Sequence, residues 1–391
     1  MPKLRRGPSL VVSLVTAVSL LGAPAPAVAD GSRAPDVEEL QSALTDLVQQ
    51  PGGPPGVVVT LGRGERLDVL TAGTADIATG RPPVAGDAMR VASVAKAFNA
   101  ATALSLVSRG VLSLDDRVAD RTHDLPSEWA DVTLRQLLGH TSGIPDFSRS
   151  EDFVDALLAS LLDPPRPEQL LSYVEDPALL FTPGTEYRYS NSDNVVVGLM
   201  IERATGRPYA DVLRSEVLRP AGLRATSLPV GADLPAPYIH GHDLSEQPPE
   251  DVSTVIAAGW AWASGGVVST PADLARFIGA DVRGAFTDRR TRAEQFEFRP
   301  GSSEPPGPGR NSAGLGLFRY ETRCGTVYGH TGNTAGYTQY AAATRDGRRT
   351  VTVSVNGQIT PGTPPDTGPE LFEQLRGVFE LATCAALARR G

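Results

Sequence analysis

Lysine is almost absent from this sequence. Of the 36 lysines and arginines among 391 residues, only Lys3 and Lys96 are lysines. Arginine stays protonated in a protein and lysine can lose its proton. A chain that meets its cationic needs with arginine therefore keeps lysine where a titratable amine is required. Cysteine is scarce as well: Cys324 and Cys384 are the whole supply. There is no C-x-x-C pair, and no H-E-x-x-H accompanies the five histidines, so no zinc motif is present. His240-Gly241-His242 followed by Asp243 could be written as ligands, but without a second ligand pair it reads as a loop coincidence. No phosphate loop and no G-x-G-x-x-G at a strand-to-helix turn occurs, and neither does a G-x-S-x-G elbow. Metal and cofactor are both expected to be none.

Long apolar runs are missing too, so no membrane insertion is expected. The run Ser9 to Leu21 is too short to span. With Lys3, Arg5 and Arg6 before it and Ala27-Val28-Ala29 after it, it reads as a secretory leader over residues 1–29, leaving an exported chain from residue 30 to 391. The formal charge is −9, and more negative still without the basic leader. That sign argues against nucleic acid and anionic membranes as partners. In an exported chain Cys324 and Cys384 can form a bridge between the strand region before His330 and the C-terminal helix, or remain two buried thiols.

What is there is organised around residues 91–110. Ser93 and Lys96 stand three apart at the head of a helical pattern, on one helix face, as a nucleophile stands beside its base. The following positions, Val94, Ala95, Ala97, Phe98, Ala100, Ala101, Ala103, Leu104, Leu106 and Val107, are apolar all round. They predict a buried central helix ending at Gly110. Burial strips the amine of solvation and lowers its pKa toward the range of a working base. A serine at the helix start is also expected to sit over unpaired N–H groups.

Residues 36–49 have the spacing of an amphipathic helix, and 56–62 with 66–72 that of a hairpin. Residues 116–255 read as mainly helical with proline-rich joints, including helices at 194–204 and 208–218. Strands are predicted at 315–320, 326–329, 338–345 and 350–355, with a two-residue turn at Asp346-Gly347, then a helix over 369–389. Both ends are expected to share one antiparallel sheet flanked by helices, an α/β (α+β) fold. The sheet lobe would take residues 36–115 and 256–391, and the helical lobe 116–255.

A serine and a lysine still need a second proton carrier and donors for an oxyanion. Tyr189-Ser190-Asn191 offers the carrier: a phenol near an ammonium has its pKa lowered and can pass a proton to a leaving group. Asn191 can accept from the lysine and donate to a substrate carbonyl. After His330-Thr331-Gly332, small residues leave an edge along which substrate can lie, and the N–H groups of Asn333 and Ser93 could form an oxyanion hole.

Four ordered blocks carry a resemblance: Met89 to Lys96; Leu137-Leu138-Gly139-His140-Thr141-Ser142-Gly143-Ile144; Phe181-Thr182-Pro183-Gly184 leading to Tyr189-Ser190-Asn191; and Gly329-His330-Thr331-Gly332 reaching Gly336-Tyr337. In these the chain resembles the serine β-lactamase and penicillin-recognising family, on its class C side, and within that the D-alanyl-D-alanine carboxypeptidases of actinobacteria. The resemblance implies a β-lactamase/transpeptidase-like fold and an acyl-enzyme at Ser93. Lys96 would be the base, Tyr189 the proton carrier and Asn191 the orienter, with His330, Thr331 and Gly332 on the substrate side. It implies a small peptide, ester or β-lactam substrate, the peptide coming from peptidoglycan, and a monomer is expected. D-Alanyl-D-alanine carboxypeptidase action is the leading reading, with β-lactamase, esterase or a non-catalytic wall-peptide binder as alternatives. Ser192-Asp193-Asn194 spells a competing motif, set aside because the spacing to Tyr189 fits better.

Two features bear on substrate. Trp260 resembles an aromatic wall of the cleft and can equally be a packed tryptophan. A terminal carboxylate needs a bidentate arginine. The position where the relatives carry it is Phe318 here, with Arg319 one residue away and so on the other side of a strand.

Overall fold

The computed structural model describes residues 37–388 except 123, 304, 365 and 366, so the expected leader lies outside the described residues. Helix α1 (Val37–Gln49) places Leu40, Leu44 and Leu47 on one buried stripe, with Glu38 and Glu39 in the first turn where the helix dipole favours acids. Strands β1 (Gly56–Arg63) and β2 (Arg66–Gly73) form the predicted hairpin. The central helix α2 (Ala95–Ser108) buries every position from Ala95 to Leu106, and Gly110 beyond it takes φ +70°. Helix α3 spans Asn191–Thr205 and α4 spans Pro271–Val282.

Strands β3 (Arg310–Ala313), β4 (Phe318–Thr322), β5 (Gly325–Thr334), β6 (Tyr337–Ala343) and β7 (Arg349–Val355) follow, and α5 (Gly368–Leu387) closes the chain. Among the described residues the seven strands form one antiparallel sheet in the order β2-β1-β7-β6-β5-β4-β3. Val57, Val59 and Leu61 of β1 and Val351, Val353 and Val355 of β7 pack with α1 and with Leu371, Leu375 and Phe379 of α5. The opposite face packs on α2, α3 and α4 through a second core built around Phe98, Val195, Val196, Phe277 and Ile278. Covering on both faces explains why β1 reads as a nearly continuous apolar run and why Thr350, Thr352 and Ser354, which alternate with the valines of β7, are buried as well.

Three strand boundaries differ from the sequence reading. The strand expected from 315 begins at Phe318, because Gly314 to Leu317 form a turn, with Gly314 N–H donating to the Leu317 carbonyl at 2.7 Å. Gly316 in that turn has φ +70°, and a Cβ there would lie 2.0 Å from Ala100 Cβ of α2. The expected two-residue turn at Asp346-Gly347 is a longer loop, since Thr344 N–H closes onto the Arg349 carbonyl at 2.9 Å and the Asp346 carboxylate takes the Thr344 hydroxyl at 2.6 Å. Strand β5 also runs well past its predicted end at Gly329. Cys324, in the β4–β5 turn, is bonded to Cys384 of α5, with Cα atoms 5.2 Å apart.

Candidate active site

The site begins with a kink. Ala92 takes φ +49°, and Ala92–Val94 form a 3-10 turn that α2 continues. A left-handed alanine is strained, and it persists where surrounding packing fixes it. Gly332 of β5 supplies that packing: a Cβ on it would stand 2.5 Å from the Val91 carbonyl and 2.9 Å from Ser93 N. Strand and nucleophile backbone therefore meet with no side chain between them. The α2 cap position is Val94 rather than Ser93, and no side chain caps the helix. Contrary to the expectation that it would sit over the helix-start N–H groups, the Ser93 hydroxyl is left available for chemistry.

Lys96 is buried, with 1% exposure. Its Nζ lies 3.1 Å from Ser93 Oγ and donates to Asn191 Oδ1 and to the Ser264 carbonyl, each at 2.7 Å. A neutral amine has two N–H groups and one lone pair. The two acceptors take both N–H groups, which turns the lone pair toward the serine hydroxyl. The Asn191 amide is oriented by its other end, where Nδ2 donates to Asp146 Oδ2 at 3.1 Å and Ser148 Oγ at 2.9 Å. Burial lowers the Lys96 pKa to about 7, against the opposing pull of the Asp146 carboxylate. Near neutrality the amine is thus deprotonated often enough to act as a base.

Tyr189 stands on the other side. Its ring centroid is 4.9 Å from Lys96 Nζ, and its buried hydroxyl faces Ser93 without a bond of standard geometry among the described residues. The expectation of a lowered phenol pKa is corrected here. Burial outweighs the hydrogen-bonding influence of Ser93 and holds the phenol well above its ordinary value. Tyr189 is a neutral O–H donor rather than a phenolate, and basicity resides on Lys96. The donor half of the Asn191 expectation is corrected too, because Nδ2 is committed to Asp146 and Ser148 rather than left for a substrate carbonyl.

His330 is buried beside these groups, its ring 6.3 Å from that of Tyr189 and edge-on to Phe318 at 5.0 Å. Nδ1 bonds the Thr331 carbonyl and Nε2 is a buried atom without a protein partner. Burial first, and then the Lys96 charge, lower its pKa to about 3, so the ring is neutral. Strand β4 ends its pairing with β5 at Phe318 and Gly329, so 330–334 have no strand on that side. Counting alternation from the Thr334–Tyr337 closing pair, Thr331 and Asn333 direct backbone N–H and carbonyl groups to this open side. The Asn333 side chain is turned back, Oδ1 accepting from the Thr338 hydroxyl at 2.8 Å. Thr331 pairs across the strands with Tyr340 and shares its face, so its hydroxyl, 3.4 Å from the Pro306 carbonyl, does not join Ser93. The open edge offers the Thr331 backbone instead.

The structure separates the remaining candidates from this cluster. Trp260 is 5% exposed, donates Nε1–H to the Ser160 carbonyl at 3.1 Å and packs edge-on against Phe153, which makes it a core tryptophan and not a cleft wall. Arg319 lies over the Phe298 ring at 5.4 Å and pairs with Glu321 at 3.5 Å. Ser192, Asp193 and Asn194 are buried between elements, bonded to the Pro145 carbonyl, to His140 with Ser142, and to Asn99, respectively. His240 is held by Asp251 at 2.6 Å, and no metal-binding group occurs among the described residues. His140 reaches across to Asp193, its Nδ1 2.9 Å from Oδ2.

Sequence reasoning missed Asp146, Ser148 and Ser264. The first two had a local signal, since Asp146 Oδ1 accepts from Ser148 N–H at 3.1 Å in a turn of the kind Asp-x-Ser favours. Ser264 acts through its carbonyl, which leaves no mark in side-chain identity.

Known proteins resemble this chain over most of its length. A D-stereospecific amidohydrolase from Streptomyces sp. superposes with TM-score 0.73 at 31% identity, covering 83% of this chain and 95% of that one. The D-amino acid amidase from Ochrobactrum anthropi SV3, solved with L-phenylalanine amide, gives 0.76 at 25% identity over 88% and 98%. Penicillin-binding protein 4* of Bacillus subtilis is 26% identical over 76% of this chain and 66% of its own length, so the chain spans less than two thirds of that relative. No helix among the described residues is long and apolar enough to cross a membrane. With the Beta-lactamase family model matching residues 44–375, the chain belongs to the beta-lactamase family and is a serine hydrolase related to penicillin-binding proteins and D-amino acid amidases.

Proposed function

We propose that the protein is an exported serine hydrolase that cleaves an amide on the carboxyl side of a D-residue through an acyl-enzyme at Ser93. The observation that carries this is the Lys96 lone pair, left facing Ser93 Oγ by the two acceptors that occupy its N–H groups. The serine oxygen attacks the carbonyl carbon and its proton passes to Lys96 Nζ. As the tetrahedral adduct collapses, Tyr189 gives its hydroxyl proton to the leaving nitrogen and is reprotonated from Lys96. Water then enters, loses a proton to the same base, and releases the acid and free Ser93. The N–H groups of Ser93 and Asn333 stabilise the oxyanion in both halves.

The D-alanyl-D-alanine end of a peptidoglycan stem peptide fits as the peptide form of this substrate. A specific observation favours a second form, the D-amino acid amide or a substrate with another uncharged leaving group. Arg319 is engaged with Phe298 and Glu321, and His330 is neutral, so no cation among these residues meets a terminal carboxylate. The Cys324–Cys384 bond supports an oxidising location outside the cytoplasm.

The test is a panel on the purified chain: D-alanine release from a D-Ala-D-Ala peptide, ammonia release from D- and L-amino acid amides, β-lactam turnover and p-nitrophenyl ester cleavage. Ser93-dependent turnover of a D-configured amide or peptide, with the L-amide untouched, is the expected result. Activity unchanged by Ser93→Ala would overturn the mechanism, and ester cleavage alone would overturn the substrate class.

A further inference from the structure

His140 and Asp193 lie outside the reacting set, yet they are among the most buried polar groups in the protein, with side chains 4% and 0% exposed. His140 takes φ +53°, a left-handed conformation uncommon for a residue with a side chain. That conformation lets one residue grip the tyrosine segment twice. Its carbonyl accepts from Arg188 N–H at 2.9 Å, and its Nδ1 accepts from Ser190 N–H at 3.3 Å. Between those two anchors, the imidazole lies against the Tyr189 ring with centroids 4.5 Å apart.

The same Nδ1 is 2.9 Å from Asp193 Oδ2, and Asp193 Oδ1 accepts from the Ser142 hydroxyl at 2.5 Å. An Nδ1 that receives the Ser190 N–H carries no proton of its own. The bond to Asp193 then requires the proton to sit on the carboxyl. We infer that His140 and a protonated, uncharged Asp193 form a clamp that positions Tyr189 against Ser93. The inference rests on the acyl-enzyme reading above.

Other titratable groups bear on the clamp: Lys96 from α2, Asp146 at the head of the 3-10 turn Phe147–Arg149, and the neutral His330 from β5. Burial, as the largest influence, raises Asp193 and lowers His140 to about 3, the direction the hydrogen bonds require. The uncharged state has a use. An ionised Asp193 would hold Lys96 in its charged form, so a neutral carboxyl anchors the histidine without impairing the base.

Asp193→Asn tests this directly, because its amide N–H can donate to Nδ1 while its oxygen accepts from Ser142. We expect Asp193→Asn to keep kcat within about threefold, whereas Asp193→Ala and His140→Asn lose about 100-fold in kcat with KM little changed, the scale of a catalytic group displaced by about 1 Å. Asparagine tolerates the left-handed backbone, so His140→Asn should fold, which a melting curve checks. Nitrogen-15 NMR of the His140 ring in the unmodified protein should show an unprotonated Nδ1 from about pH 5 to about pH 9. An imidazolium signal, an Asp193→Asn variant as impaired as Asp193→Ala, or an undiminished His140→Asn variant would each overturn the clamp. If turnover proved independent of Ser93 the acyl-enzyme reading would fail instead, while the ring signal would still decide the clamp.

Discussion

Lys96 makes the rate of acylation depend on pH in a way the structure specifies. Its pKa of about 7, against 10.5 for an ordinary lysine, follows from complete burial. At pH 7 about half of the molecules carry the neutral base, and at pH 5 about one in a hundred. Plotted on logarithmic axes, kcat/KM for a neutral amide or ester should rise with unit slope to an inflection near pH 7 and then level. Stability moves the same way. The folded value lies below the unfolded one, so between about pH 7 and about 10.5 the unfolded chain binds one more proton. Stability therefore rises with pH across that window, by up to about 5 kcal/mol from this group alone. Stopped-flow ester hydrolysis gives the first profile and urea unfolding at several pH values the second. Lys96→Arg retains the charge, abolishes the titration and should cost about 10²- to 10⁴-fold in kcat/KM. A rate flat between about pH 5 and about pH 9, or one inflecting near 10, would refute the assignment of Lys96 as base.

Asn191→Asp sets a carboxylate at the oxygen that now accepts from Lys96 at 2.7 Å, so the inflection should move up by about one to three pH units. An unmoved profile would show that this bond does not govern the lysine. Gly332→Ala places a methyl 2.5 Å from the Val91 carbonyl and 2.9 Å from Ser93 N. It should destabilise by about 1–3 kcal/mol and lower kcat by about 100-fold, read by unfolding and by initial rates. Replacing Cys324 and Cys384 by serine opens a bridge with a sequence separation of 60 and should cost about 4 kcal/mol in a denaturant titration, with kcat/KM at Ser93 preserved.

The parts of the fold and site visible in the sequence were those with a period or a rare residue. The leucine spacing of α1, the apolar sweep of α2 and the lone functional lysine each had one physical explanation. The full length of β5 was hidden, because Thr331, Gly332 and Asn333 carry no alternating apolar signal and extend along an open edge. The raised pKa of Tyr189 is not legible in the sequence, because motif order indicates proximity to an ammonium, whereas burial depends on packing by residues distant in the chain. Trp260 shows the same limit: only contacts with Phe153 and the Ser160 carbonyl distinguish a wall from a core. The partnership of His140 with Asp193 spans 53 positions and has no local signature.

The lone described lysine also decides how the molecule meets reagents. Lys96 is 1% exposed, so the folded surface of the described residues presents no primary side-chain amine to succinimidyl esters, aldehydes or immobilisation resins. A small acylating or carbamylating agent that reaches the cleft meets an amine half unprotonated at neutral pH. Loss of turnover in step with one added mass would then count active centres.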